Sequence, residues 1–128
     1  MDRFVDFLWV GAGGFIGTVL RFGLNIFFPS TMNSKFPWST FLSNIIGCLI
    51  LGIVSELATK YSLLRPDIDI FLTIGLCGGF TTFSTLVYEG FQLLRNGNPT
   101  MFMLYGFVSF FCGYLFLYAG MFITRKIL

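Results

Sequence analysis

Four long apolar runs, separated by short polar connectors, organise the chain. They cover about residues 4–28, 38–59, 69–94 and 100–124. Each holds the roughly 20 residues that an α-helix needs to cross the hydrocarbon core of a bilayer. The connectors "PSTMNSKFP", "KYSLLRPD" and "RNGNP" carry the Pro, Gly and Asn punctuation that ends helices, and none is long enough for a soluble domain. The pattern predicts an all-α integral membrane protein, a single four-helix transmembrane domain spanning residues 1–128.

The third run departs from a simple spanning helix. Residues 70–88 carry no charge, yet "GLCGGFTTFSTLVYEG" (75–90) places Gly78, Gly79, Thr81, Thr82, Ser84 and Thr85 at mid-membrane depth. Glycine and hydroxyl residues weaken a helix there, which predicts a break near the centre of the segment. Broken backbone is tolerated at that depth only where it is buried in protein or lines a cavity. It leaves carbonyls at one half-helix end and N–H groups at the other. Carbonyls suit a small cation such as sodium, while N–H groups and hydroxyls suit an anion. A phosphate loop is a poor alternative, because no strand precedes the glycines and the Walker pattern is missing.

Polar residues form stripes on two other runs. Thr40 and Asn44 lie four residues apart, so they share a helix face, and Gly47 falls close to it; Tyr105 and Ser109 repeat the spacing in the fourth run. Such stripes either line a path or join helices by hydrogen bonds, typically contributing about 0.6 to 2 kcal/mol each. Gly13 and Gly17 form a GxxxG that permits close helix packing whatever the function. The 18 phenylalanines face lipid or neighbouring helices, and a ring turned edge-on can also attract an anion without trapping it as a fixed charge would.

Composition agrees with the pattern: 55% of the 128 residues are hydrophobic and 11% are charged. The net charge of +2, with scattered basic residues, gives no reason to expect a nucleic-acid partner. The first run is too long for a signal peptide and begins with acidic Asp2 and Asp6. Cys48, Cys77 and Cys112 fall one each in the second, third and fourth runs without paired ligand spacing, so they read as small apolar packing residues. The absence of histidine removes the usual proton relay and the commonest metal ligand. With four spans both chain ends share one side. That side holds Arg3, Lys60, Arg65, Arg125 and Lys126 against Lys35, Arg95 and Arg21 on the other, a weak bias that allows insertion in both orientations.

In motif order and length the chain resembles the Fluc fluoride channels, also called CrcB proteins. "GGFIGTVLRF" is similar to the family's first-helix motif, "STFLSNIIG" to its Thr/Asn motif and "GLCGGFTTFST" to its third-helix signature. The resemblance covers all four runs. It implies an antiparallel, dual-topology homodimer in the cell inner membrane, with two fluoride pores and one central structural sodium. In it, Gly78 and Thr81 would offer backbone carbonyls to the sodium. Asn44, helped by Thr40, would donate into the pore; Phe83 would turn its ring edge to fluoride, with Ser84 and Thr85 in the adjacent hydroxyl track. Tyr105 and Ser109 match fourth-helix pore positions, and Arg21 and Glu89 match charged positions near the vestibules. Two positions depart from the pattern: Leu86 stands where a second pore phenylalanine is expected, and Gly113 where a further serine often occurs.

Two other function classes remain to be weighed. A proton-coupled exporter similar to the small multidrug transporters also uses four helices and antiparallel dimers, but needs a carboxylate deep in the membrane. Asp6 and Glu56 lie toward segment ends, and Glu89 ends the charge-free core of the third run. A non-transporting assembly subunit would account for the small residues and phenylalanines, but leaves the polar stripes unexplained.

Overall fold

Each apolar run is helical in the computed structural model, which describes residues 3–29 and 36–128. Asp2, Lys35 and most of the first connector lie outside the described residues. Helix α1 is Arg3–Phe27 and α2 is Trp38–Thr59. The third run is two helices: α3 (residues 66–80), whose middle, Phe71–Cys77, has the wider π geometry, and α4, Phe83–Arg95. Helix α5, Pro99–Ile127, closes the chain. Among the described residues the spans number four, each long and apolar enough to cross a membrane.

Small residues decide which helices touch. In lipid there is little hydrophobic drive between helices, so association rests on close packing, which small side chains permit. Helix α1 lies along α3: a methyl group added at Gly17 would fall 2.3 Å from the carbonyl oxygen of Leu76, and one at Gly79 would fall 2.6 Å from that of Gly14. Helix α2 lies along α5, where a methyl at Gly120 would fall 2.3 Å from the Leu49 carbonyl oxygen. The Gly13/Gly17 pair expected to allow close approach does so against α3. Glycine in α3 also keeps helical dihedrals, with Gly78 at φ −63°, ψ −39°. Its glycines serve packing, and the break lies beyond them.

The break is made by hydroxyls. Thr81 (φ −93°, ψ 159°) and Thr82 (φ −154°, ψ 122°) are extended. Thr81 ends α3 by donating both its N–H (3.0 Å) and its hydroxyl (2.8 Å) to the Cys77 carbonyl. Thr82 caps α4, its hydroxyl oxygen accepting from the Thr85 N–H at 3.1 Å. These side chains replace the water that orphan helix-end groups would otherwise require.

Two further contacts lock the bundle. At the end carrying the α5 C-terminus, the Arg125 guanidinium donates to the Glu56 carboxylate at 2.6 Å. The Glu56 side chain is 3% exposed and that of Arg125 44%, so one charge is buried and the other reaches the membrane edge. Toward the opposite end, Leu86 and Leu93 of α4 pack on Tyr105 of α5, with Phe36, Phe41 and Met101 around them.

Candidate functional site

A groove of about 390 Å³ runs between α2 and α5, with the α3–α4 break in its wall. Its polar lining comes from Asn44 on α2, Thr73 on α3, Thr81 and Thr82 at the break, and Ser109 and Tyr114 on α5. The two helical stripes explain the arrangement. Four-residue spacing on α2 runs Thr40, Asn44, Cys48, and on α5 Tyr105, Ser109, Gly113. The upper member of each stripe is buried, and the next two face the groove.

Asn44 holds the break open. Its Oδ1 accepts the Thr82 N–H at 2.8 Å, and its Nδ2 donates to the Thr82 carbonyl at 3.2 Å, the two-point exchange that a neighbouring strand would give an extended residue. In a continuous helix the Thr82 N–H would bond the Gly78 carbonyl. Diverting it to Asn44 releases that carbonyl at the negative end of α3. The next carbonyl, Gly79, accepts from Arg21 Nε at 3.0 Å. The Gly78 carbonyl, released from its helical partner, thus lies at the negative end of α3, next to a carbonyl that a guanidinium already holds. Among the described residues no three His, Cys, Asp or Glu side chains gather into a metal site.

Ser109 carries the clearest unmet demand. Its side chain is buried, and its hydroxyl oxygen has neither water exposure nor a hydrogen-bond partner. An isolated buried hydroxyl costs about 1–3 kcal/mol. Beside it, Phe83 projects from the first turn of α4, 66% exposed, with its ring edge-to-face on Phe110 of α5 at 6.4 Å.

The remaining expected residues divide between support and surroundings. Tyr105 is fully buried, and its hydroxyl donates to Glu89 Oε1 at 3.0 Å and is hydrogen-bonded to Thr40. Thr40 and Tyr105 thus tie α2, α4 and α5 together behind the groove, and Glu89 is held by that cluster. Thr85 accepts from the Thr82 hydroxyl at 3.0 Å, and the Ser84 hydroxyl lies 3.4 Å from it, so both gather at the cap of α4. Leu86 lines the groove with one side and packs into the Leu93–Tyr105 core with the other. Phe80 lies elsewhere, in a second, almost wholly apolar groove of about 590 Å³ between α1, α2 and α3. Arg21 reaches the break from α1.

Three features go beyond the roles read from the sequence. Thr82, named among the residues that weaken the helix, is the one that Asn44 holds, and as a threonine it also suits the N-cap position it takes on α4. Phe110 supplies the partner ring for Phe83. Cys48 and Cys77, expected to be packing residues, both line the groove.

Comparison with known proteins follows the same motifs. The family model described as CrcB-like protein, Camphor Resistance (CrcB), matches residues 8–121. A protein of Chlorobium phaeobacteroides strain BS1 named fluoride-specific ion channel FluC is 41% identical over 120 residues, 94% of this chain and 93% of its own. Proteins of the same name from Chlorobium luteolum and Clostridium perfringens strain 13 are 44% and 36% identical, with 88% and 98% of this chain covered and 87% and 98% of theirs.

Proposed function

The chain belongs to the CrcB family, and we propose that it is a fluoride-selective channel whose groove between α2 and α5 is one wall of a pore. The observation that carries the assignment to this groove is Ser109, a buried hydroxyl without a partner in the wall of a groove that Phe83 also lines. Fluoride is small and strongly hydrated, so a selective path must replace its water with close donors. Ser109 has an unpartnered hydroxyl to give, and rotation of that side chain would turn it from the buried wall toward an ion in the groove. Asn44 has a second Nδ2 proton besides the one given to Thr82. The Phe83 edge adds weak positive potential, and the groove places no cationic side chain among these groups, so an ion is held loosely enough to leave. Escape is passive: HF enters a cell, dissociates in the cytoplasm and leaves fluoride behind, and the channel in the inner membrane lets it out.

The groove is open on one side, and Phe83 is exposed there. An antiparallel second copy, permitted by the weak charge bias, would supply the facing wall and give the dimer two pores. The released Gly78 carbonyl and that of Thr81, with the same pair from the second copy, would hold a structural sodium. Such an ion would offset the mutual repulsion of converging carbonyls. Replacing sodium by a large organic cation is then expected to weaken the dimer, whereas sodium moving in fixed proportion to fluoride would contradict a structural role.

A proton-coupled exporter fits less well: Glu56 is paired with Arg125 and Glu89 with Tyr105, and Asp6, whose Oδ1 is buried without a partner, lies in the first turn of α1 rather than at mid-membrane depth. Expression in a bacterial strain lacking its own fluoride exit route tests the assignment: growth on fluoride is the expected result, and continued sensitivity with the protein in the membrane would overturn it.

A further inference from the structure

Two thiols share the groove with the polar groups. Cys48 follows Gly47 on α2, and Cys77 lies one turn before Thr81 on α3. The two turns are in direct contact, since a methyl at Gly47 would collide with Cγ2 of Thr81. Cys48 is half-buried and Cys77 is 3% exposed; both are free thiols that line this groove, and Cys77 also borders the apolar groove on the α1 side. From α5, Gly113 leaves room over Cys48, its missing methyl position lying 3.6 Å from the Sγ.

We propose that Cys48 and Cys77 form a two-thiol site for a soft, divalent, two-coordinate cation of the mercury(II) class, and that its occupant obstructs the groove. The ligand count selects the ion. No third His, Cys, Asp or Glu side chain joins the pair among the described residues, so ions needing four or six protein ligands are poorly served. Thiolates select soft metals, and two of them suit linear coordination. Charge then selects among soft ions. On binding, two S–H bonds break, two protons leave to water and two sulfur–metal bonds form, with no change of oxidation state. With a divalent ion the product is neutral. With a monovalent one it carries a net negative charge, which is costly at membrane depth. Cys48 gives the ion access and Cys77 completes a site shielded from water. Cys112 on α5 is not among the groove residues and serves as the internal control.

The binding site stands on the thiols alone, and only the obstruction rests on the channel assignment. Purified full-length protein is titrated with mercury(II) nitrate, reading thiolate-to-mercury ultraviolet absorption and the metal retained after desalting. The expected result is one tightly held mercury per chain in Cys112→Ser, and in the parent protein the same site together with any mercury taken up by the separate Cys112 thiol. Loss of a ligand costs more than loss of an outer-shell partner, so Cys48→Ser and Cys77→Ser should each weaken binding by more than about tenfold. Cys48→Ala and Cys77→Ala repeat the test should a serine variant fold poorly. Undiminished binding in either single variant, or loss of the site in Cys112→Ser, would overturn the proposal. In liposomes the same addition should stop fluoride release by the parent protein, reversibly with a dithiol, and spare the two single variants. Mercury bound with release unchanged would overturn the obstruction. A parent protein that binds one mercury but never releases fluoride would instead count against the channel assignment and leave the metal site standing.

Discussion

The side-chain amide of Asn44 and the backbone of Thr82 exchange two hydrogen bonds, at 2.8 and 3.2 Å, across 38 residues of sequence. That exchange keeps α3 and α4 from joining into one helix, and it makes Asn44 a brace at the break in addition to the donor role proposed for it. Asn44→Asp keeps the shape but turns the donor into an acceptor facing the Thr82 carbonyl. The expected outcome is a loss of about 1–3 kcal/mol of stability together with suppressed fluoride flux. Thermal denaturation of the purified protein and efflux from liposomes measure the two effects, and an unchanged melting temperature would remove the brace.

Phe83 contributes little to the packed interior of one chain, being 66% exposed. Phe83→Ile retains bulk, loses the ring edge and the contact with Phe110, and is expected to slow fluoride passage with little change in thermal stability. A parental rate would show that the edge is not used.

The Glu56–Arg125 pair is asymmetric in burial, and its two halves should respond differently to substitution. Arg125→Gln leaves a carboxylate at 3% exposure without its counter-charge, which is expected to cost on the order of 3 kcal/mol. Glu56→Gln leaves an arginine that is 44% exposed and can turn to the membrane edge, so the loss should be clearly smaller. Comparing the melting temperatures of both variants and the double substitution checks the order, and equal losses would contradict it.

Gly17 faces the Leu76 carbonyl with no room for a methyl group. Gly17→Ala must push α1 away from α3, and with it Arg21 from the Gly79 carbonyl. The expected result is a destabilised protein with reduced flux, at a cost typical of overpacking, about 1–3 kcal/mol. Gly11 meets no neighbour within 4 Å, so Gly11→Ala is the matched control and should behave as the parent.

Much of this organisation was legible in the sequence because periodicity reports helix faces. The Thr40–Asn44 and Tyr105–Ser109 spacings place two stripes opposite one another, and the structure shows their upper members buried and Asn44 and Ser109 in the groove. The break falls where expected, within the stretch of glycines and hydroxyls, but only the hydroxyl residues make it. Gly78 and Gly79 suggested flexibility, but they stay helical, and the extended residues are Thr81 and Thr82, whose hydroxyls and Asn44 partner satisfy the backbone. Propensity shows that a segment can break, whereas tertiary hydrogen bonds decide where. The Arg125–Glu56 pair spans 69 residues, and no local pattern connects its members. Nor does spacing show that Cys48 and Cys77 face one groove, since that depends on how α2 and α3 pack.

The most direct measurement of the central claim is anion release from liposomes containing purified protein, under matched fluoride and chloride gradients with a potassium ionophore to balance charge. Rapid fluoride release with negligible chloride release, slowed in Ser109→Ala, is the predicted result. Folded protein that releases no fluoride, or releases chloride equally well, would contradict it.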